Sequence, residues 1–181
     1  MSPPPPLSDL RSGRSLLEIL IVVVIMAILG SIAVPLYGHF RRKGEDAACM
    51  GNLRTLHTSL GAYLLDHKMI WPQVPPEIDG DGMEGENDAV AEFWVKTLDP
   101  YGSHRETWLC PSQRRTWAEN NDPKIFDASY SPTQYDPLPN IAYQWGNQPW
   151  VIEGGGYHQG EANMVMPDGS IRKEHMPMFE E

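Results

Sequence analysis

Residues that do chemistry are scarce in this sequence. It contains no His-Glu-x-x-His and no paired Cys-x-x-Cys, so the familiar zinc patterns are missing. No nucleophile and base stand at a spacing that marks a hydrolase, and no enzyme is read from the chain. Basic charge is short as well: 14 Lys and Arg face 24 Asp and Glu, a net charge of −10 at pH 7. The part after residue 37 carries the same −10, which argues against nucleic acid and anionic lipid surfaces as partners of that part. Cysteine is limited to Cys49 and Cys110. These allow a single pairing, permitted outside the cytoplasmic membrane, or else two buried thiols, and composition does not choose between them.

What the sequence does have is one long apolar run. Leu16 to Val34 is 19 residues in which Glu18 is the one charge. As a helix it would rise roughly 28 Å, enough for a hydrocarbon core of about 30 Å. A secretory signal peptide has a shorter apolar region with a small-x-small cleavage site after it. Here Ser31-Ile32-Ala33 is a weak imitation of such a site, and the small residue Gly13 precedes the run. The run therefore reads as a retained anchor, with processing on its N-terminal side. A carboxylate at mid-bilayer costs about 2.5–3.5 kcal/mol, and less near an end. Glu18 thus lies in the headgroup zone, or finds a cation inside an assembly. Gly30 and Pro35 interrupt the run, and a proline inside a helix removes one backbone bond and commonly kinks it.

The first 13 residues include Pro3 to Pro6 and read as extended and unfolded. After the run, Cys49, Leu53, Leu56, Leu60, Tyr63 and Leu64 recur at spacings of three and four, which makes one apolar stripe. The expectation is one helix from 15 to about 67, stopped near Lys68 by Trp71-Pro72 and Pro75-Pro76. The acidic stretch 77–88 offers Asp79, Asp81 and Glu84 as hard oxygen ligands for calcium, or is simply solvated; the EF-hand template fails at Met83. Residues 89–98 form a short helix capped by Asn87 or Asp88, with Val90, Phe93, Trp94 and Leu98 facing inward. In 99–150 short strands are expected at 107–109 and 141–145. Trp108, Trp117, Trp145 and Trp150 line a ligand groove or patch the core. Two last strands, 163–166 and 170–174, flank a Pro167-Asp168-Gly169 turn in which Gly169 takes the positive φ. His158, Asn163 and Asp168 would need a further ligand to hold a metal, and spacing places none; no metal is expected. In this reading His158 and Asn163 satisfy backbone groups, and Asp168-Gly169 makes the turn.

Several of these stretches match a known pattern. Gly13-Arg14-Ser15-Leu16-Leu17-Glu18 resembles the processing site of type IV pilins and type II secretion pseudopilins. In that family the cut follows the Gly, the new N-terminus is methylated, and the Glu fifth after the cut drives assembly. Ala33-Val34-Pro35-Leu36-Tyr37 resembles the family's Ala-Ile-Pro-x-Tyr. The chain departs at Arg14, where the family usually has Phe, and this bears on methylation rather than on cleavage. A narrower resemblance, to a branch of large pilin-like families, lies in Cys49-Met50-Gly51-Asn52-Leu53-Arg54, Tyr63, Asp66-His67, Trp71-Pro72, Leu109-Cys110-Pro111-Ser112 and Ser129-Tyr130. His158, Gly160 and Asn163, with nine residues between His158 and Asp168-Gly169, resemble the C-terminal signature of a prepilin-associated family.

The resemblance implies an α+β fold: a long N-terminal helix, its first half transmembrane, packed on a small antiparallel sheet. It divides the chain into a leader (1–13), an anchor and assembly helix (14–37), an amphipathic continuation (38–68) and a globular domain (69–181). It implies a structural subunit, a type II secretion pseudopilin or a type IV pilus component, cut after Gly13 and assembled through Glu18 and the Pro35 region. Its partners would be other pilin-like subunits, a prepilin peptidase, an inner-membrane assembly platform and the membrane. Arg41, Arg42 and Lys43 follow the span, and by the positive-inside rule alone they would place the domain in the cytoplasm. The resemblance instead implies a single-pass bacterial inner-membrane protein with its C-terminal domain on the periplasmic side. The rival reading is a membrane-anchored module that recognises a surface or secreted ligand without polymerising.

Overall fold

The computed structural model describes residues 16–78, 86–120, 128–154, 158 and 160–175, without the side chains of 35, 86–88, 117, 119 and 120. Gly13 and Arg14, and the calcium candidates Asp79, Asp81 and Glu84, lie outside the described residues. The chain divides into two units, Met1–Arg41 and Arg42–Glu181.

Helix α1 runs from Leu16 to Asp66 without a break in its assignment. Its first part holds Ile21-Val22-Val23-Val24-Ile25, and such β-branched residues favour a helix only weakly in water. In hydrocarbon the same run has little choice, because a helix is the one single-segment structure that satisfies every backbone group internally. The segment is long and apolar enough to cross a membrane. Within the second unit the same helix becomes amphipathic. Cys49, Leu53, Leu56, Leu60 and Leu64 are buried on one stripe, with Tyr63 packed beside them.

The helix ends by a route that its sequence does not advertise. Lys68 and Met69 both take positive φ, 56° and 64°, a left-handed conformation that non-glycine residues rarely adopt. The Met69 amide donates to the Leu64 carbonyl at 2.7 Å. Met69 O in turn accepts from the Asn140 amide at 2.9 Å, a bond from a distant loop. His67 stacks flat on Tyr63, with ring centroids 3.8 Å apart. Tertiary contacts hold this turn where glycine would ordinarily stand.

Helix α2, Glu86–Leu98, begins earlier than the sequence suggests, so Asn87 and Asp88 lie in its first turn rather than before it. Trp94, Val95 and Leu98 are buried, with Val90 and Phe93 packed against the same core. Two short 3₁₀ turns follow, Asp99–Tyr101 and Arg105–Trp108, then helix α3, Pro111–Asn120, and the single-turn helix α4, Ile141–Gln144. The strands expected at 107–109 and 141–145 are thus helical turns instead. Local bonds decide this: Leu109 N–H donates to Glu106 O at 3.2 Å, and Tyr143 N–H to Asn140 O at 3.1 Å.

The sheet is a four-stranded antiparallel meander in chain order: β1 Tyr130–Pro132, β2 Val151–Glu153, β3 Glu161–Val165 and β4 Ile171–His175. Val151 pairs with Val165, and Val165 with Ile171. The final hairpin forms with Gly169 at φ 79°. Long helix plus small antiparallel sheet is the α+β architecture of a pilin-like chain.

Tryptophan dominates the core. Trp71, Trp108 and Trp150 are fully buried or nearly so. Trp71 meets Trp94, Tyr135 and Trp150 edge-on, at 6.3, 4.9 and 5.4 Å between centroids, the arrangement that aromatic quadrupoles favour. Cys49 on α1 and Cys110 before α3 are joined by a disulfide, with Cα atoms 5.2 Å apart and a separation of 61 positions in sequence. A loop of that length restricts the unfolded chain by about 4 kcal/mol in the chain-entropy model. The Cys49→Ala/Cys110→Ala variant should therefore lose about 4 kcal/mol in urea denaturation of the detergent-solubilised chain; a loss under 1 kcal/mol would show that the bridge is not a staple.

Candidate functional site

Two places among the described residues carry more than packing. One is the first part of α1. From Leu20 to Ile25 every side chain is between 48% and 61% exposed, so the helix is apolar all round its circumference. A helix of that kind belongs inside a membrane or among other apolar helices. Glu18 stands in its first turn, where the positive end of the helix dipole favours a carboxylate. Between Leu16 and Phe40 it is the one Asp, Glu, Lys or Arg. Farther along, Ser31 Oγ donates to the Ile28 carbonyl at 2.7 Å, which occupies a polar group that would otherwise face lipid.

The other place is the C-terminal signature, which lies in the second unit. His158 and Asn163 bind carboxylates rather than the backbone groups expected of them. His158 Nε2 is 2.9 Å from Glu153 Oε1. Asn163 donates to Glu153 Oε2 twice, from its side-chain Nδ2 at 2.8 Å and its backbone N at 3.2 Å. The same Nδ2 donates to Asp46 Oδ1 on α1 at 3.1 Å, and Lys173 Nζ on β4 donates to Asp46 Oδ2 at 2.6 Å. His158 Nδ1 faces Asp46 Oδ1 at 3.5 Å. Glu153 is fully buried, as is Asn163. An uncompensated charge there would be costly, which explains why three donors converge on one carboxylate.

Asp46 is the link to the helix. Its burial opposes ionisation, yet the hydrogen bonds from Lys173 and Asn163, with the fields of His158 and Lys173, outweigh that. Its carboxyl is held below the ordinary 3.8. Glu45, the preceding residue, is paired to Arg115 Nε on α3 at 3.0 Å. The far end of the signature is tied to α1 as well. Asp168 Oδ1 accepts from Ser170 N and Oγ, closing the turn. His57 contacts the Pro167 carbonyl through Nε2 at 3.1 Å and stacks on Trp150 at 4.7 Å. Gly160, also in the signature, has φ 84°, and a Cβ there would sit 3.3 Å from His175 Cε1.

The scattered motif fragments in the middle of the chain also meet. Asn52 Nδ2 donates to the Leu109 carbonyl at 3.1 Å, and Tyr130 OH donates to the Cys49 carbonyl at 3.3 Å. Ser129 Oγ accepts from the Cys110 amide at 2.7 Å and pairs with Gln113 Oε1. The Cys-x-x-Asn of the helix, the Leu-Cys-Pro-Ser segment and Ser129-Tyr130 therefore form one junction around the disulfide.

As chemistry, the His158–Glu153 pair has the form of a base and its orienting carboxylate. Glu153 is fully buried and His158 nearly so, so little of the pair is exposed among the described residues. Sequence reading missed Glu153, Asp46 and His57. Spacing alone offers no signal for Asp46, which lies 112 residues before His158.

Two outcomes follow from this geometry. Because the Asp46 carboxyl is depressed, its stabilisation is complete above about pH 4 and is lost as the pH falls through and below that range. Melting temperatures of wild type and Asp46→Asn should differ near neutrality and converge at low pH; a gap that persists at low pH would sink the assignment. At the turn, a Cβ on residue 169 would lie 3.3 Å from His57 Cε1, and φ is 79°. Gly169→Ala should cost about 1–2 kcal/mol from backbone strain alone, read by denaturant titration.

The chain is similar to the type IV major fimbrial protein FimA of Dichelobacter nodosus. Two such proteins are each 32% identical to it over 62 residues, 34% of this chain and 40% and 39% of theirs. The chain thus spans about two fifths of the length of the curated relatives it matches. No protein-family model matches it. No solved structure matches it either. Over that third of its length the chain is type IV pilin-like, which accords with the long helix and small sheet.

Proposed function

We propose that the chain is a non-enzymatic structural subunit of a pilin-like polymer, a type II secretion pseudopilin or a type IV pilus component. The observation that carries this reading is the first part of α1, apolar on every side and exposed on every side. Lipid tails are as apolar as these side chains, so exchanging lipid for like helices is driven by close packing and by polar pairing within the polymer core rather than by transfer out of water. The similarity to fimbrial subunits supports the same reading. In this proposal a prepilin peptidase cuts after Gly13, and Glu18 meets the new α-amino group of a neighbour. An inner-membrane platform then draws the subunit into the growing filament. The second unit stays on the extracytoplasmic side, where a disulfide is stable.

The rival binding module draws on the tryptophans and on the acidic stretch 77–88, of which 79–85 lie outside the described residues. Among the described side chains Trp108 and Trp150 are in the core and Trp145 is 57% exposed, so these three do not form a row, and the side chain of Trp117 lies outside the description.

Glu18→Ala is the direct test. Crosslinked oligomers and sheared filaments should fall at least tenfold, while the membrane-bound monomer keeps its disulfide and melting temperature. Wild-type assembly in that variant would overturn the proposal. Intact mass of the mature chain supplies a second check: the N-terminus should be Arg14, and a chain that retains its proline-rich start while assembling would exclude the processing step.

A further inference from the structure

We propose that, when its thiols are reduced, the chain closes the Cys49–Cys110 position around one zinc-class divalent ion held by Cys49 Sγ, Cys110 Sγ, His158 Nε2 and Glu153 Oε1. The disulfide and the metal would be alternative staples at one place in the fold. This inference rests on the buried cluster alone and is independent of the assembly role.

The geometry supplies the ligands. One donor atom from each of the four residues lies within 4.8 Å of all the others. His158 Nε2 is 3.6 Å from Cys110 Sγ and 2.9 Å from Glu153 Oε1. With Zn–S bonds near 2.3 Å and Zn–N and Zn–O bonds near 2.0–2.2 Å, the edges of a tetrahedron run from about 3.3 to 3.8 Å. The histidine–sulfur contact is already at such an edge. Breaking the sulfur–sulfur bond frees both Cβ–Sγ arms to rotate outward, and the carboxylate oxygen needs to draw back only a few tenths of an ångström. Two thiolates, an imidazole and a carboxylate form a donor set that suits zinc.

The surroundings are those of a metal centre's outer shell. Ligating histidines ordinarily donate their other ring N–H to a carboxylate, and ligating carboxylates are themselves hydrogen-bonded. Here His158 Nδ1 faces Asp46 Oδ1 at 3.5 Å. The free oxygen of Glu153, Oε2, is fixed by two donors from Asn163. Asp46 is in turn paired with Lys173. Two thiolates, one carboxylate and a divalent ion leave a single negative charge at the centre, and the Lys173 ammonium one residue away is balanced by the Asp46 carboxylate that it binds. Cys49, Cys110 and Glu153 are all fully buried, as in closed structural sites rather than catalytic ones.

The chemistry balances. In the unfolded chain an external dithiol attacks the Cys49–Cys110 bond by exchange and leaves as its own disulfide, delivering two electrons and two protons to the cysteine sulfurs. Metal binding then forms two metal–sulfur bonds and releases those two protons to solvent. Once the chain is unfolded again, oxidation by a disulfide reagent reverses both steps and frees the ion. Because both sulfurs are sealed in the folded unit, the choice between staples is made as the chain folds: a newly made, reduced chain takes the metal, and an oxidised one takes the bridge.

The test uses the full chain in detergent micelles. It is unfolded, reduced with a phosphine, which leaves as the phosphine oxide, and refolded with Co²⁺ as a spectroscopic stand-in for Zn²⁺. The expected result is one Co²⁺ per chain, with tetrahedral ligand-field bands and a thiolate-to-cobalt charge-transfer band, both abolished by added Zn²⁺. The oxidised chain should take up none. Asp46→Asn, which touches no ligand atom of the ion, should weaken uptake by about 10–100-fold, and Cys110→Ser should lose about half of the charge-transfer intensity. A reduced chain that binds no cobalt, folded or not, overturns the proposal. So does cobalt bound without a charge-transfer band, or uptake that is equal in the oxidised chain.

Discussion

A half-buried carboxylate on the long helix has to find partners, and that requirement organises the second unit. Asp46 takes them from the last quarter of the chain: Lys173 on β4, Asn163 on β3, and His158 from the bridge before it. The apolar stripe of α1 supplies most of the free energy that holds the sheet against the helix, but that attraction has no direction and would tolerate a slide. Hydrogen bonds between charged groups have both length and angle. They fix which turn of helix meets which strand. Fifteen or so ångströms along the helix, by the usual rise per residue, His57 makes a second contact at the Pro167 carbonyl. Two ties at the ends of one hairpin determine its position more fully than either does alone.

The disulfide belongs to this arrangement. Cys110 Sγ lies 3.6 Å from His158 Nε2, so the covalent bridge and the carboxylate cluster adjoin. The segment after Cys110 is held by Ser129, the turn before β1 is held by the same residue, and Tyr130 reaches back to the helix carbonyl of Cys49. Burial pushes the Tyr130 phenol well above its ordinary range, which keeps it a neutral donor. Among the described residues the elements between α2 and β2 are short, and this junction joins loop, helix and strand at one point.

How much of this can be read in the residues depends on the range over which each feature is encoded. The stripe from Cys49 to Leu64 is a repeat of three and four, complete within the helix, and it is plain in the sequence. The Pro167-Asp168-Gly169 hairpin is equally local, because Gly169 at positive φ and the Asp168–Ser170 bonds need nothing from elsewhere. By contrast, β1 and β2 have three residues each, too few for any period to show. Residues 107–109 and 141–145 have the apolar and aromatic character of strands, yet turn bonds to their immediate neighbours win. The helix stop at Lys68 and Met69 has no glycine to announce it, and depends on a bond from Asn140. Glu153 and Asp46 were invisible for the same reason. A carboxylate earns its place in the core only through partners brought there by the finished fold. The motif fragments Cys-x-x-Asn, Leu-Cys-Pro-Ser and Ser-Tyr were visible as separate words, and only the fold shows that they adjoin.

The rims of the sheet have a consequence for crowding. One outer strand, β1, is three residues long and ends in Pro132, which has no N–H to offer. The other, β4, is exposed from Arg172 to His175 and carries Arg172, Lys173 and Glu174 there. Neither invites a foreign strand to add on. Chains gathered densely by their greasy ends would therefore be protected from amyloid-like pairing of their sheets, and could stand close together for long periods without fusing into β-aggregates.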